Sequence, residues 1–329
     1  MWKLFLLLGA FLIGLFALFQ YQQSSLYMKQ ADGLVKLGKS AEAIGLYQKA
    51  KQAFPLRLDI NADIEGAKLV RQSDSDYEEI AEVFAEFQQA PSIDNLAPTK
   101  LSPNEIFVPI LMYHHIRINP RPNDPVWAAL NVSPQQLDDQ FAYLASHNFH
   151  TITFDQLFDA LDGKISLPTN PIILTFDDSY RNFYDNAFPL LKKYNFQSIQ
   201  FVITQVIGLT PYLTWDQILE MDRSGLVQFG GHTRHHPNLP DLPAAMIVDE
   251  VQGSKTDLEQ HLHKTINWFA YPYGSYSDFI IKTVQNAGFK GASSTIYGAN
   301  QSKDNLYLAP RIMVDSRFSL DNLARRIQR

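Results

Sequence analysis

Cysteine is absent from the 329 residues. That excludes a disulfide framework, a thiolate metal site, a thiol nucleophile and a lipidated amino-terminal cysteine. Charge is sparse as well. Asp, Glu, Lys and Arg make up 19% of the chain, and the net charge of -6 comes without any Lys/Arg-rich tract, so no nucleic-acid partner is expected. Long apolar runs are missing, with one exception. Leu4–Phe19 is apolar apart from two glycines, and Trp2 and Tyr21 flank it where aromatic residues settle at a bilayer interface. With its flanks it matches the ~20 residues that a helix needs to cross a membrane, so residues 1–22 are expected to form a signal anchor. A cleaved signal peptide is the competing reading, but no small-x-small cleavage site follows the run. Lys3 precedes the run and Lys29 is the first positive charge beyond it, which orients the amino terminus to the cytoplasm and the remainder outside the cell membrane.

What is present divides in two. Residues 23–90 read as helices, and Ala31, Leu34, Gly38, Ala43, Ile44, Tyr47, Ala50 and Pro55 fall at the spacing of one tetratricopeptide-like repeat. A single repeat cannot bury its own face, so it is expected to pack on a neighbour or on a protein partner. A plain helical spacer is the alternative. Residues 91–104, with Pro91 and Pro98, have the composition of a linker.

From residue 105 onward, short apolar runs alternate with amphipathic stretches. Strands are expected at 107–113, 151–154, 171–176, 199–203, 226–230, 268–271 and 290–293. Helices are expected between them, among them 244–262, with Gly253 as a weak point. Seven or eight such units in residues 105–329 predict a parallel α/β barrel, a distorted (β/α)7-8 ring, in which reactive groups collect where strands end.

Four strand ends carry chemistry. The run Leu174-Thr175-Phe176 stops at Asp177-Asp178. Two neighbouring carboxylates resist ionising together unless a cation or a hydrogen-bonding group stands beside them. After 226–230 come His232 and His236, which converge on one ion if the segment turns; with Asp178 they would form a two-histidine, one-carboxylate set suited to zinc or a similar divalent ion. Tyr271-Pro272-Tyr273-Gly274 is a stiff turn that can aim a backbone N–H inward, and Tyr113-His114-His115 puts a further imidazole at the same rim. Trp215 opens a helix and is assigned equally to a sugar-stacking groove or to packing. His115 and His235 are expected to be structural neighbours of the reactive groups, and His147, His150, His261 and His263 to lie on the surface.

Thr175-Phe176-Asp177-Asp178, His232-Thr233-Arg234-His235-His236-Pro237 and Phe269-Ala270-Tyr271-Pro272-Tyr273-Gly274 resemble, in order, three motifs of the carbohydrate esterase family 4 polysaccharide deacetylases. Leu111-Met112-Tyr113-His114-His115 and Leu308-Ala309-Pro310-Arg311-Ile312 look most like the poly-β-1,6-N-acetylglucosamine deacetylases of biofilm matrices. The resemblance covers roughly residues 105–329. It implies hydrolysis of N-acetyl groups from an extracellular N-acetylglucosamine polymer, with Asp178, His232 and His236 as ligands of a divalent ion (zinc first; nickel, cobalt or iron otherwise). Asp177 would be the general base, the Tyr273 backbone N–H after Pro272 an oxyanion donor, and His114 the general acid. No histidine follows His263, so an acid from the carboxyl-terminal part is excluded. Many relatives place Arg where this chain has Ala270, and Arg311 is the candidate to steady Asp177 in its place. Peptidoglycan is the alternative substrate, and a silent glycan-binding surface protein the alternative class.

Overall fold

In the computed structural model the described residues are 23–31, 40–53, 104–121 and 123–328. The expected membrane helix at 1–22 lies outside them, as does most of the expected linker and residues 54–90 of the helical region. No helix among the described residues is long and apolar enough to cross a membrane. Within the amino-terminal unit, residues 23–31 and Ser40–Ala53 are helical, with Ala31, Tyr47 and Ala50 buried.

The carboxyl-terminal unit is built on seven strands: β1 (Ile110–Tyr113), β2 (Pro171–Phe176), β3 (Ser198–Val202), β4 (Val227–Gly231), β5 (Trp268–Ala270), β6 (Gly291–Tyr297) and β7 (Ala309–Met313). Each pairs in parallel with the next, and β7 returns to β1 through Ile312 opposite Leu111, which closes the ring. Helices α1 (Pro134–Ser146) and α2 (Phe154–Leu161) fill the first crossover; α3 (Phe188–Tyr194), α4 (Trp215–Arg223), α5 (Ala244–Leu262) and α6 (Asp278–Asn286) fill the next four. No α-helix separates β6 from β7, and α7 (Leu320–Ile327) follows the last strand. The barrel is thus of the seven-strand kind.

The helices start where the sequence supplies caps. Ser133, Thr153 and Thr214 each accept a hydrogen bond from the backbone N–H three residues on, and the side-chain oxygens of Gln136, Gln156 and Gln217 accept the cap residue's own N–H. Thr153 explains why the strand expected at 151–154 is shorter: pairing ends at Thr151, and Phe154 already belongs to α2. The helix expected at 244–262 runs unbroken through Gly253.

Both faces of the strands are buried, as parallel strands require. Leu111, Leu174, Phe176, Val202, Phe229, Phe269 and Ile312 pack outward against helix residues such as Phe141, Leu191, Met221, Val251 and Val284. Ile110, Ile173, Ile199, Phe201, Trp268, Ala270 and Ala309 form a second cluster that fills the interior and its floor. Gly230 makes room for this filling, because a Cβ there would stand 2.6 Å from the Phe201 ring and 2.8 Å from the Trp268 carbonyl oxygen. Gly230→Ala is therefore expected to destabilise the barrel by about 1–3 kcal/mol, read as a lower urea midpoint at unchanged slope.

Candidate active site

β2 ends in Thr175-Phe176, and Asp177 and Asp178 continue beyond it at the mouth of the ring. The Asp177 N–H still donates to the Tyr113 carbonyl of β1 (2.9 Å), so its position is set by the ladder. Asp178 and Ser179 then take left-handed backbone conformations, φ 72° and 61°. Ser179 is held there by accepting the Ile203 N–H on its hydroxyl (2.9 Å) and the Leu213 N–H on its carbonyl (2.9 Å). Thr233 (φ 64°), His236 (φ 62°) and Tyr273 (φ 58°) are left-handed too. Five of the nine described non-glycine residues with positive φ thus sit at three strand ends; the others are three asparagines, which tolerate this region, and His263 after α5. Backbone strain gathered at one rim marks a site whose geometry is over-determined by its surroundings.

These turns bring three donors together. Asp178 Oδ1 lies 3.3 Å from His232 Nε2 and 3.4 Å from His236 Nε2, and the two Nε2 atoms are 3.2 Å apart. Neighbouring donors around a tetrahedral ion with zinc-like bond lengths stand ~3.3 Å apart, so the triangle has the dimensions of one face of such a shell. The far side of each imidazole is already used. His232 Nδ1 is 2.8 Å from the Ala270 carbonyl oxygen, to which it can only donate. His236 Nδ1 faces the Tyr273 hydroxyl at 3.1 Å, and that hydroxyl donates to the His236 carbonyl oxygen at 3.3 Å. With the proton on Nδ1 in both rings, two Nε2 lone pairs and a carboxylate point at one another, an arrangement that a cation satisfies. It is the one group of three or more potential ligands found among the described residues.

Electrostatics agree. Burial opposes the charge on Asp178, but the imidazoles of His232, His236 and His114 outweigh it and hold its carboxyl well below the usual carboxylate range. Burial pushes the His236 imidazole down to about 4, against the upward pull of Asp178, so the ring is neutral and ligand-competent at physiological pH.

Asp177 has a different environment. Arg311 of β7 reaches through the barrel interior and takes both carboxylate oxygens, Nη1 to Oδ1 at 3.0 Å and Nη2 to Oδ2 at 2.8 Å. Its remaining hydrogen bonds go to the Ser294 carbonyl (2.9 Å) and the Thr175 hydroxyl (3.1 Å), and only 1% of the side chain is exposed. A fork-to-fork pair of this kind fixes the plane of the carboxylate as well as its charge. Ala270, on the interior of β5, presents only a methyl group, so this cation comes from β7.

His114 directly follows Tyr113 of β1, whose carbonyl accepts the Asp177 N–H, so it stands at the same rim as the two carboxylates. Its Nδ1 is buried and has no hydrogen-bond partner, an unusual state for a polar atom. His115 points elsewhere: it is stacked against Tyr180, centroids 3.6 Å apart, and its Nδ1 faces the Asn182 amide nitrogen at 3.0 Å. Pro272 is buried in the turn that carries Tyr273. Trp215 is the first residue of α4, and one face of its indole is covered by His261, centroids 3.6 Å apart and 5° from parallel. That face is not available to a sugar ring. His147, His150, His261 and His263 are exposed.

Sequence reasoning missed the residues that hold the His232–His236 loop. Glu250 of α5 accepts the Arg234 and His235 backbone N–H groups on one oxygen (2.8 and 2.9 Å) and faces His235 Nδ1 with the other (2.7 Å). Asp257, two turns on, takes the Arg234 guanidinium through Nε (3.1 Å) and Nη2 (3.0 Å). The only sign in the sequence was Gly253, a glycine inside an otherwise regular helix.

The polysaccharide deacetylase family profile matches residues 164–292, which run from the approach to β2 into β6. A putative polysaccharide deacetylase of Bacillus subtilis is 27% identical over 212 residues, 64% of this chain and 73% of the relative. The poly-β-1,6-N-acetyl-D-glucosamine N-deacetylase of Staphylococcus aureus is 28% identical over 243 residues, 67% of this chain and 83% of the relative. Among solved structures, the Streptococcus pyogenes deacetylase PplD in complex with acetate superposes with a TM-score of 0.63 at 29% identity, covering 68% of this chain and all (100%) of that one. Barrel, ordered strand-end motifs and relatives agree: the chain carries a polysaccharide deacetylase domain of the carbohydrate esterase family 4 type, an amide-bond hydrolase, with the profile match at residues 164–292.

Proposed function

We propose that the protein removes acetyl groups from N-acetylglucosamine units of an extracellular polymer, poly-β-1,6-N-acetylglucosamine before peptidoglycan. Asp178, His232 and His236 would hold a divalent ion, zinc first. The observation that carries this reading is the 3.2–3.4 Å donor triangle of these three residues, beside a second carboxylate that Arg311 keeps apart from it. A divalent ion in that set supplies Lewis acidity toward the acetamide oxygen and toward water. Asp177, oriented by Arg311, takes the proton of the water that attacks the acetamide carbonyl. The Tyr273 backbone N–H is assigned to the developing oxyanion. His114 gives a proton to the departing sugar nitrogen, so that amide and water become amine and acetate. The poly-β-1,6 assignment is supported by the Staphylococcus aureus relative, whose name states that substrate. Residues 1–22 would tether the domain to the outer face of the membrane.

Acetate release from β-1,6 and β-1,4 N-acetylglucosamine oligomers, with and without chelator, tests the proposal. Release from the β-1,6 series, lost on chelation and restored by metal, is the expected result. Preference for the β-1,4 series would move the substrate to peptidoglycan, and no release from either with metal restored would leave a glycan-binding protein. His114→Gln is expected to lower turnover by roughly a hundredfold. Its metal affinity should stay that of the parent; a parallel loss of metal would remove the general-acid role.

A further inference from the structure

His232 and His236 are four residues apart, yet no helix places them on one face. Their Nε2 atoms meet because the loop between them turns twice into left-handed backbone, at Thr233 and His236. Such conformations cost energy in residues with a Cβ and persist only where neighbours enforce them. The segment after β3 contributes backbone bonds, Thr204 N–H to the Thr233 carbonyl (3.3 Å) and Gln205 N–H to the Arg234 carbonyl (3.0 Å), and the side-chain contacts on residues 234–235 come from one helix. Glu250, buried on α5, accepts two consecutive backbone N–H groups from the middle of the loop, those of Arg234 and His235. Arg234 then lays its guanidinium along α5, with a fork on Asp257 and a further nitrogen on Asp249 (Nη1 to Oδ1 3.2 Å). Asp257 is itself tied to the end of β3 through the Thr204 hydroxyl (2.7 Å) and the Gln205 amide (3.2 Å).

Gly253 completes this arrangement. It lies between Glu250 and Asp257 on α5, with no unusual backbone angle that would call for glycine. A Cβ at that position would stand 2.7 Å from Arg234 Cδ and 2.8 Å from Cζ, and closer still to Nε. Those atoms cannot swing away without leaving Asp257 and Asp249. Glycine is among the poorest residues for a helix interior, so its place here is bought by what crosses over it.

We infer that Gly253, Arg234, Glu250 and Asp257 are positioning residues for the divalent ion: α5 presses the 233–235 segment into the turn that aims both imidazoles, and Gly253 is the groove in which the Arg234 clamp lies. The inference rests on the metal reading of Asp178, His232 and His236. Through the clamp, residues that touch neither ion nor substrate determine how tightly the ion is held.

The test is zinc affinity of the full chain, measured by competition with a chromophoric chelator, beside the thermal midpoint of the metal-free protein. Gly253→Ala is expected to weaken zinc binding about tenfold or more, the effect typical of displacing a group that orients a ligand. Its metal-free midpoint should stay close to that of the parent, since the helix propensity that alanine gains offsets the partly exposed Arg234 ion pairs that are lost. A merely structural role predicts the opposite pairing. Arg234→Ala is expected to weaken zinc similarly, and adding Gly253→Ala to it should cost nothing more, because no guanidinium remains to displace. Parental affinity in Gly253→Ala, or a full second loss in the double variant, overturns the clamp. If the parent chain itself binds no zinc and Asp178→Asn changes nothing, the metal reading fails and takes this inference with it.

Discussion

Asp177→Asn is expected to lower turnover roughly 10³-fold while leaving metal affinity at the parental level. The amide has nearly the shape of the carboxylate and can still accept one hydrogen bond from Arg311, but it cannot take a proton from water. It also removes the charge that balances a guanidinium with 1% exposure. Breaking a buried ion pair from one side costs about 3–5 kcal/mol, so the variant should melt well below the parent and must be assayed per folded molecule. Removing both charges separates the two effects. Asp177→Asn with Arg311→Met should regain much of the stability and none of the turnover, whereas Arg311→Met alone should lose both, because Asp177 is left buried without its cation and free to rotate. Parental turnover in Asp177→Asn, or in Arg311→Met, would remove these residues from the reaction.

Asp178→Asn should behave differently from its neighbour. Asp178 is the anionic member of the donor triangle, and His236 beside it is neutral at physiological pH. Its loss leaves two imidazoles and an amide oxygen facing a dication. Zinc affinity is expected to fall by more than the about hundredfold that can follow from disturbing an orienting group, and turnover by several kcal/mol of lost stabilisation, roughly 10³-fold. Saturating metal should restore part of the activity of Asp178→Asn and none of that of Asp177→Asn. Equal loss of zinc in the two variants would reverse the division of labour between adjacent carboxylates.

The parts of the site that could be read from the chain are those where a strand ends. A buried parallel strand is a short apolar run, so the polar residues that terminate it stand out: Asp177-Asp178 after Phe176, His232 after Gly231, Tyr271-Pro272 after Ala270. Arg311 was legible only through the resemblance, as the charge that could stand in for the Arg that many relatives carry where this chain has Ala270. What was not legible depends on the outer faces of helices. Glu250 and Asp257 have the pattern of any solvated acidic helix face, and nothing local distinguishes a carboxylate that holds a loop from one that faces water. Tyr273 was assigned through its backbone alone, and its hydroxyl also turns out to buttress His236, a contact that depends on a left-handed residue in the turn. The shorter strand at 150–151 was hidden because Thr153 serves both patterns, β-branched for a strand and hydroxyl-bearing for a cap.

The route of Arg311 through the interior has a consequence for the order in which competence arises as the chain folds. The donor triangle draws on the ends of β2 and β4, both in the first four strands of the ring. The partner of Asp177 comes from β7, the strand that also seals the ring against β1. A folding intermediate with β1 to β5 assembled and β7 still undocked would already present Asp178, His232 and His236, but its other carboxylate would have no cation. Capacity to capture an ion should therefore appear before capacity to hydrolyse. Acetate release then reports that the last strand has closed on the first, whereas metal uptake does not.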